Sequence, residues 1–160
     1  MHACCSLPLA RTLCLVAATA SAALATAGPP DFGDHTSATL TSKAWEALNA
    51  GDHDLVAAYT DKCQELYARE AAAQQASLED FASGDDAHSY WAVNDVGTCL
   101  FIRGESLTQQ GKTAEAIATF KTLIDDYGYA QCWDTKGWFW KPAEAAAGKL
   151  KQLEFDAKLD

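Results

Sequence analysis

The stretch GESLTQQGKTAEAIATF, from Gly104 to Phe120, decides the reading of this chain. Up to its middle, Trp91, Val93, Val96, Leu100, Gly104 and Leu107 recur at helical spacing, and Gly111 breaks the run. Thr113 is then placed to cap a second helix. Its apolar stripe is Ala116, Ile117, Phe120, Leu123, Ile124 and Tyr127. Gly128 follows, where a left-handed residue commonly closes a helix. The pattern is therefore helix, short break, helix.

Working outward, the same periodicity covers nearly everything else. Leu40, Ala44, Trp45 and Leu48 mark a first helix that Gly51 stops. Asp52 caps the next, with Asp54 in its first turn, where negative charge suits the helix dipole. Leu55, Tyr59, Cys63, Leu66 and Tyr67 form its stripe, which continues through Ala71, Gln74 and Leu78 to Phe81. Ser83, Gly84, Asp85 and Asp86 break it. A last helical stretch lies between Asp134 and Phe155, with Asp134 as a candidate cap and Pro142 imposing a kink or a restart. No alternating β-branched run exceeds a few residues. The expected fold class is all-α, with about five helices.

The two ends read differently. Residues 1–27 carry Arg11, then an alanine-rich apolar run, then Ala25-Thr26-Ala27, the small-x-small pattern cut by signal peptidase. The expected leader is therefore 1–27, and no cysteine follows the apolar run in a lipoprotein-type setting. Residues 28–36 (GPPDFGDHT) read as a disordered lead-in, and 37–158 as the helical domain. No segment after the leader is apolar enough to span a membrane, so membrane insertion is not expected once the leader is removed. The expected location is the periplasm or beyond the cell.

Residues 28–160 keep all 22 acidic and 11 of the 12 basic residues, a formal balance of −11. Phosphate backbones need clustered Lys and Arg, so nucleic acid is not an expected partner, whereas basic partners are favoured. Cys63, Cys99 and Cys132 remain after the leader, an odd number too scattered for a CxxC redox motif or a zinc knuckle. His35, His53 and His88 also stand apart and read as solvated loop or helix-end residues.

The stretch from Gly104 to Phe120 resembles a tetratricopeptide repeat, a 34-residue helix hairpin with a small residue where its helices touch and an A-x₃-F on the second. Gly104, Gly111, Ala116 and Phe120 stand at the expected offsets. The resemblance implies that Gly104 and Ala116 are small so that paired backbones can approach, with Phe120 filling the gap beside them. Arg103, Leu107 and Gly128 depart from the usual leucine, tyrosine and proline. Trp133, Gly137 and Trp140 match the first helix of a following repeat, which implies that both tryptophans pack inward. ALNAGDHDLVAAYTDK, from Ala47, matches the turn and second helix of an earlier one. Gly51 and Gly111 are 60 residues apart rather than 34, which implies one overlong antiparallel pair in a short helical-hairpin array. The phrases AVNDVGTCLFIRGE and YGYAQCWDTKGWFWKPAEAA are similar to a group of small exported bacterial proteins with tetratricopeptide-like folds, some labelled "beta-glucanase precursor".

The repeat pattern also ranks the side chains that face a partner. It leaves Tyr129, Trp138 and Phe139 unassigned to the interior, which makes them a candidate exposed platform for a peptide or a sugar ring. It sets Cys99 and Cys132 at matching places on neighbouring first helices, a candidate disulfide, with three packed free thiols as the alternative. Chemistry is harder to find. A glycosidase needs two carboxylates across a sugar cleft, but Glu65, Glu70, Glu79, Glu105, Asp125 and Asp126 read as solvated helix faces. Phosphate-loop, HExxH and GxSxG motifs do not occur. The expected role is noncatalytic, without cofactor or metal: an exported scaffold or adaptor holding an unidentified protein or peptide in the groove of the array. The alternative is a carbohydrate-binding accessory to polysaccharide metabolism that uses exposed aromatics, and a glycoside hydrolase is the weakest reading.

Overall fold

The computed structural model describes residues 28–134 and 136–159; the expected leader lies outside them. In chain order it has α1 (Ser37–Ala50), α2 (His53–Ala76), a 3₁₀ segment (Gly84–Tyr90), α3 (Trp91–Gln109) and α4 (Thr113–Asp126). β1 (Cys132–Asp134), β2 (Trp138–Trp140) and α5 (Pro142–Asp156) follow. The fold is all-α, with a small antiparallel hairpin between the last two helices.

The helix boundaries follow local chemistry. Gly51 ends α1 at φ 71°, its N–H donating to the carbonyls of Ala47 and Leu48. The Asp52 carboxylate accepts from the Leu55 N–H at 3.0 Å and starts α2. α2 stops at Ala76 instead of running to Phe81, because the Ser77 hydroxyl donates back to the Gln74 carbonyl at 2.8 Å and diverts the chain. Gln74 is used again across the interface. Its side-chain oxygen accepts from the Ala92 and Val93 N–H groups at 3.0 and 3.1 Å, satisfying donors that the first turn of α3 leaves open. At the far end of the pair, His53 Nδ1 lies 2.9 Å from Ser106 Oγ. α2 and α3 therefore run antiparallel, with 24 and 19 residues, or about 36 and 28 Å of helix.

α3 is the centre of the molecule. Thirteen of its 19 residues are buried, more than one face allows, and it packs against α1, α2, α4 and α5. Two glycines make this possible. A Cβ on Gly104 would stand 2.3 to 2.7 Å from three ring carbons of Phe120, which is itself fully buried beside Ala116. A Cβ on Gly97 would stand 2.5 Å from the Ala130 Cβ. The small-against-large contact expected at Gly104, Ala116 and Phe120 is thus present.

Other expectations are corrected. Residues 28–36 are not a loose lead-in. Phe32 packs edge-on against Tyr59 at 5.9 Å, Tyr67 donates to the His35 carbonyl at 2.8 Å, and Asp31 pairs with Lys43 at 3.0 Å. Gly128 is not left-handed: α4 closes at Tyr127, and a Cβ at Gly128 would crowd the Ile124 carbonyl at 3.0 Å. The largest change is at Trp133, Gly137 and Trp140, which form a hairpin rather than a helix. Pro142 disfavours helical backbone at the residue before it, and Lys141 is extended (φ −113°, ψ 104°). Trp138, Phe139 and Trp140 are an aromatic run that suits a strand. Gly137, at φ 93°, closes the turn by donating to the Asp134 carbonyl at 2.9 Å. Pro142 then opens α5 in its first turn, where its missing N–H costs nothing.

Candidate binding site

The hairpin is held to α3 by one buried amide. Asn94 donates to the Ala87 carbonyl at 2.9 Å and accepts from the Gln131 N–H at 2.9 Å, tying the 3₁₀ segment and the start of β1 to α3. The Gln131 side chain donates on to the Ala82 carbonyl at 2.6 Å. One helical turn along, the Thr98 hydroxyl donates to the Asn94 carbonyl at 2.8 Å and lies 2.9 Å from Cys132 Sγ.

Anchored this way, the hairpin overhangs α1 and α3 and leaves a cleft of about 400 Å³. Trp45 of α1, Phe101 of α3 and Trp140 of β2 form its apolar wall. Trp140 meets Phe101 edge-on at 5.0 Å, and Trp45 is 6.2 Å from each. Thr98, Cys132, Trp133 and Asp134 complete its lining. This volume falls at the lower end of the range for ligand clefts, as does its mix of aromatic walls and few polar groups. Trp133 also borders a smaller cleft of about 170 Å³, where Trp91, Asp95 and His88 gather.

Asp95 accepts the Ser37 hydroxyl at 2.5 Å. Burial still raises its carboxyl above the ordinary aspartate value, and the Ser37 bond offsets this only in part. Neither Asp95 nor Asp134 joins an ion pair among the described residues. No group of three or more His, Cys, Asp or Glu there is placed to hold a metal ion.

The residues singled out in the sequence separate here. Trp138 is half exposed at the start of β2. Tyr129 is not an open platform: its ring packs edge-on against Phe81 at 5.6 Å and its hydroxyl donates to the Glu79 carbonyl at 2.9 Å. Phe139 is wedged between Trp133 at 5.1 Å and His88 at 5.9 Å. Trp133, expected inside, is 55% exposed, and strand pairing sets it opposite Phe139 on one face of the hairpin. Trp45 and Trp91 also line the clefts, though nothing in the local sequence marks them as site residues. Each sits on an ordinary helical stripe, and only the hairpin's position turns their rings into walls.

The candidate Cys99–Cys132 disulfide is absent, and the alternative of three packed free thiols holds among the described residues. Cys132 meets Thr98 instead of Cys99. Cys99 is fully buried, 3.3 Å from Thr41 Oγ1. The neighbouring Cys63 thiol, together with burial, pushes Cys99 well above the ordinary thiol value. Burial moves Cys132 up to about 11. At pH 7 only about 10⁻⁴ of Cys132 is then thiolate, the nucleophilic form. Residues 28–160, treated natively with iodoacetamide at pH 7, should therefore remain unmodified, while the same chain unfolded takes up three labels, as read by intact mass. Rapid labelling of the native chain contradicts this burial.

No known protein family, curated protein or solved structure matches this chain. Among the described residues no helix is long and apolar enough to cross a membrane.

Proposed function

We propose that this chain is a noncatalytic, exported adaptor that holds a segment of another protein in the cleft between α1, α3 and the hairpin. The observation that carries the reading is the aromatic wall of Trp45, Phe101 and Trp140 around about 400 Å³ of open space. An apolar side chain entering that space exchanges water for three rings, and Thr98 and Asp134 offer polar contacts beside it. A tetratricopeptide-like origin for the array is part of the proposal. Its support is the close contact of Gly104 with Phe120 and the antiparallel pairing of α2 with α3. The leader-like composition of residues 1–27 supports export.

A second reading is favoured by one observation. Trp133 and Trp138 are 55% and 50% exposed, and half-open indole faces suit sugar rings. Tryptophan emission separates the two. The adaptor reading predicts a saturable change with a pool of unstructured peptides, lost in Trp133→Ala, and none with β-glucan oligosaccharides. A response to the oligosaccharides alone replaces it with the carbohydrate reading; silence toward both removes the cleft as a binding site.

A further inference from the structure

The smaller cleft has a chemistry of its own. Trp91 and Trp133, 44% and 55% exposed, border it together with the Asp95 carboxylate. Asp95 accepts a single side-chain hydrogen bond, from neutral Ser37, and has no cationic partner among the described ion pairs. The other titratable side chains bordering the cleft are Cys132, held by Thr98, and His88, whose ring lies against Phe139. A partly desolvated carboxylate sharing a cleft with two indole rings leaves charge unbalanced, and burial of charge is costly unless it is paired. Indole faces attract cations, and a planar guanidinium both stacks on them and pairs with a carboxylate in two-pronged fashion.

Resting on the adaptor reading above, we propose that this cleft receives an arginine side chain of the bound segment, its guanidinium between Trp91 and Trp133 and paired with Asp95. The space of about 170 Å³ admits such a head group, while the larger cleft that shares Trp133 takes a neighbouring apolar side chain. The formal balance of −11 over residues 28–160 draws basic segments toward the chain. A neutral sugar ring stacks on the same indoles and leaves Asp95 uncompensated, so the charge favours the arginine.

The test uses blocked five-residue peptides with a leucine next to a central arginine, and the same peptides with citrulline, its uncharged isostere. Binding is followed by tryptophan emission and indole N–H shifts. The arginine peptide should bind at least about tenfold more tightly than the citrulline one, as expected for a charge-assisted pair. Asp95→Asn should erase most of that difference, chiefly by weakening the arginine peptide. This variant removes an uncompensated charge, so its thermal melt should match or exceed that of the parent. Equal binding of the two peptides overturns the arginine site while leaving the adaptor reading standing. Full retention of the arginine preference in Asp95→Asn also overturns it. Failure of both these peptides and the peptide pool to bind removes the adaptor reading itself.

Discussion

Replacing Phe120 with alanine should lower stability by about 3–5 kcal/mol, the range for emptying a fully buried aromatic site. For a domain of this size that is a fall of roughly 10–20 °C in Tm. The cause is geometric. The Phe120 ring is fully buried and fills the space that Gly104 leaves open, and no smaller side chain reaches both walls. The converse change makes the point sharper. In Gly104→Ala the new methyl would stand 2.3 to 2.7 Å from three ring carbons, so the ring or the helix must move. Overpacking of this kind costs about 1–3 kcal/mol, against the gain of about 1 kcal/mol that alanine brings to a helix interior. The net effect should be destabilising in the parent chain and neutral or favourable once Phe120 is alanine. A double-mutant cycle by thermal melting measures that reversal. Additive effects would mean that the two side chains do not meet.

Gly97→Ala should damage the hairpin more than the helices. Its methyl would stand 2.5 Å from the Ala130 Cβ, an atom fixed to the backbone of the turn that leads into β1. The turn has to lift, which strains the Gln131–Asn94 bond of 2.9 Å and with it the placement of Trp133 and Trp140. The expected loss is about 1–3 kcal/mol from overpacking, plus about 1 kcal/mol if that hydrogen bond breaks. Far-ultraviolet circular dichroism should stay helical while amides over 130–140 exchange faster and tryptophan becomes more accessible to acrylamide. Unchanged exchange there would show that the turn does not rest on α3 at Gly97.

The helices were legible because their signals are local. The stop at Gly51, the cap at Asp52 and the break at Gly111 act within a few residues, and each lies where spacing places it. The hairpin was not legible from the repeat pattern, which saw Trp133, Gly137 and Trp140 only as offsets. The physical signal was present in Pro142, which forbids easy helix at Lys141, and in three successive aromatics after a glycine. Gly97 could have been found too, since it stands seven residues before Gly104 and so shares its face of α3. The site itself lay beyond local reasoning. Trp45, the turn of α3 that carries Trp91 and Asp95, and Trp133 are far apart in the chain, and where the hairpin docks decides that Trp133 joins each of the others at a cleft. The free cysteines illustrate the same limit: once the third first helix becomes a hairpin, Cys132 faces Thr98 and not Cys99.

Each helix packs against its successor, α1 with α2, α2 with α3, α3 with α4 and α4 with α5. Such neighbours close short loops, so the array can assemble rapidly from one end to the other. The hairpin is tied to α3 chiefly through Asn94, 37 residues back along the chain. With so few ties it is expected to open before the helices do. A segment that binds only the closed hairpin would act as a latch, slowing that opening in proportion to how fully the clefts are filled.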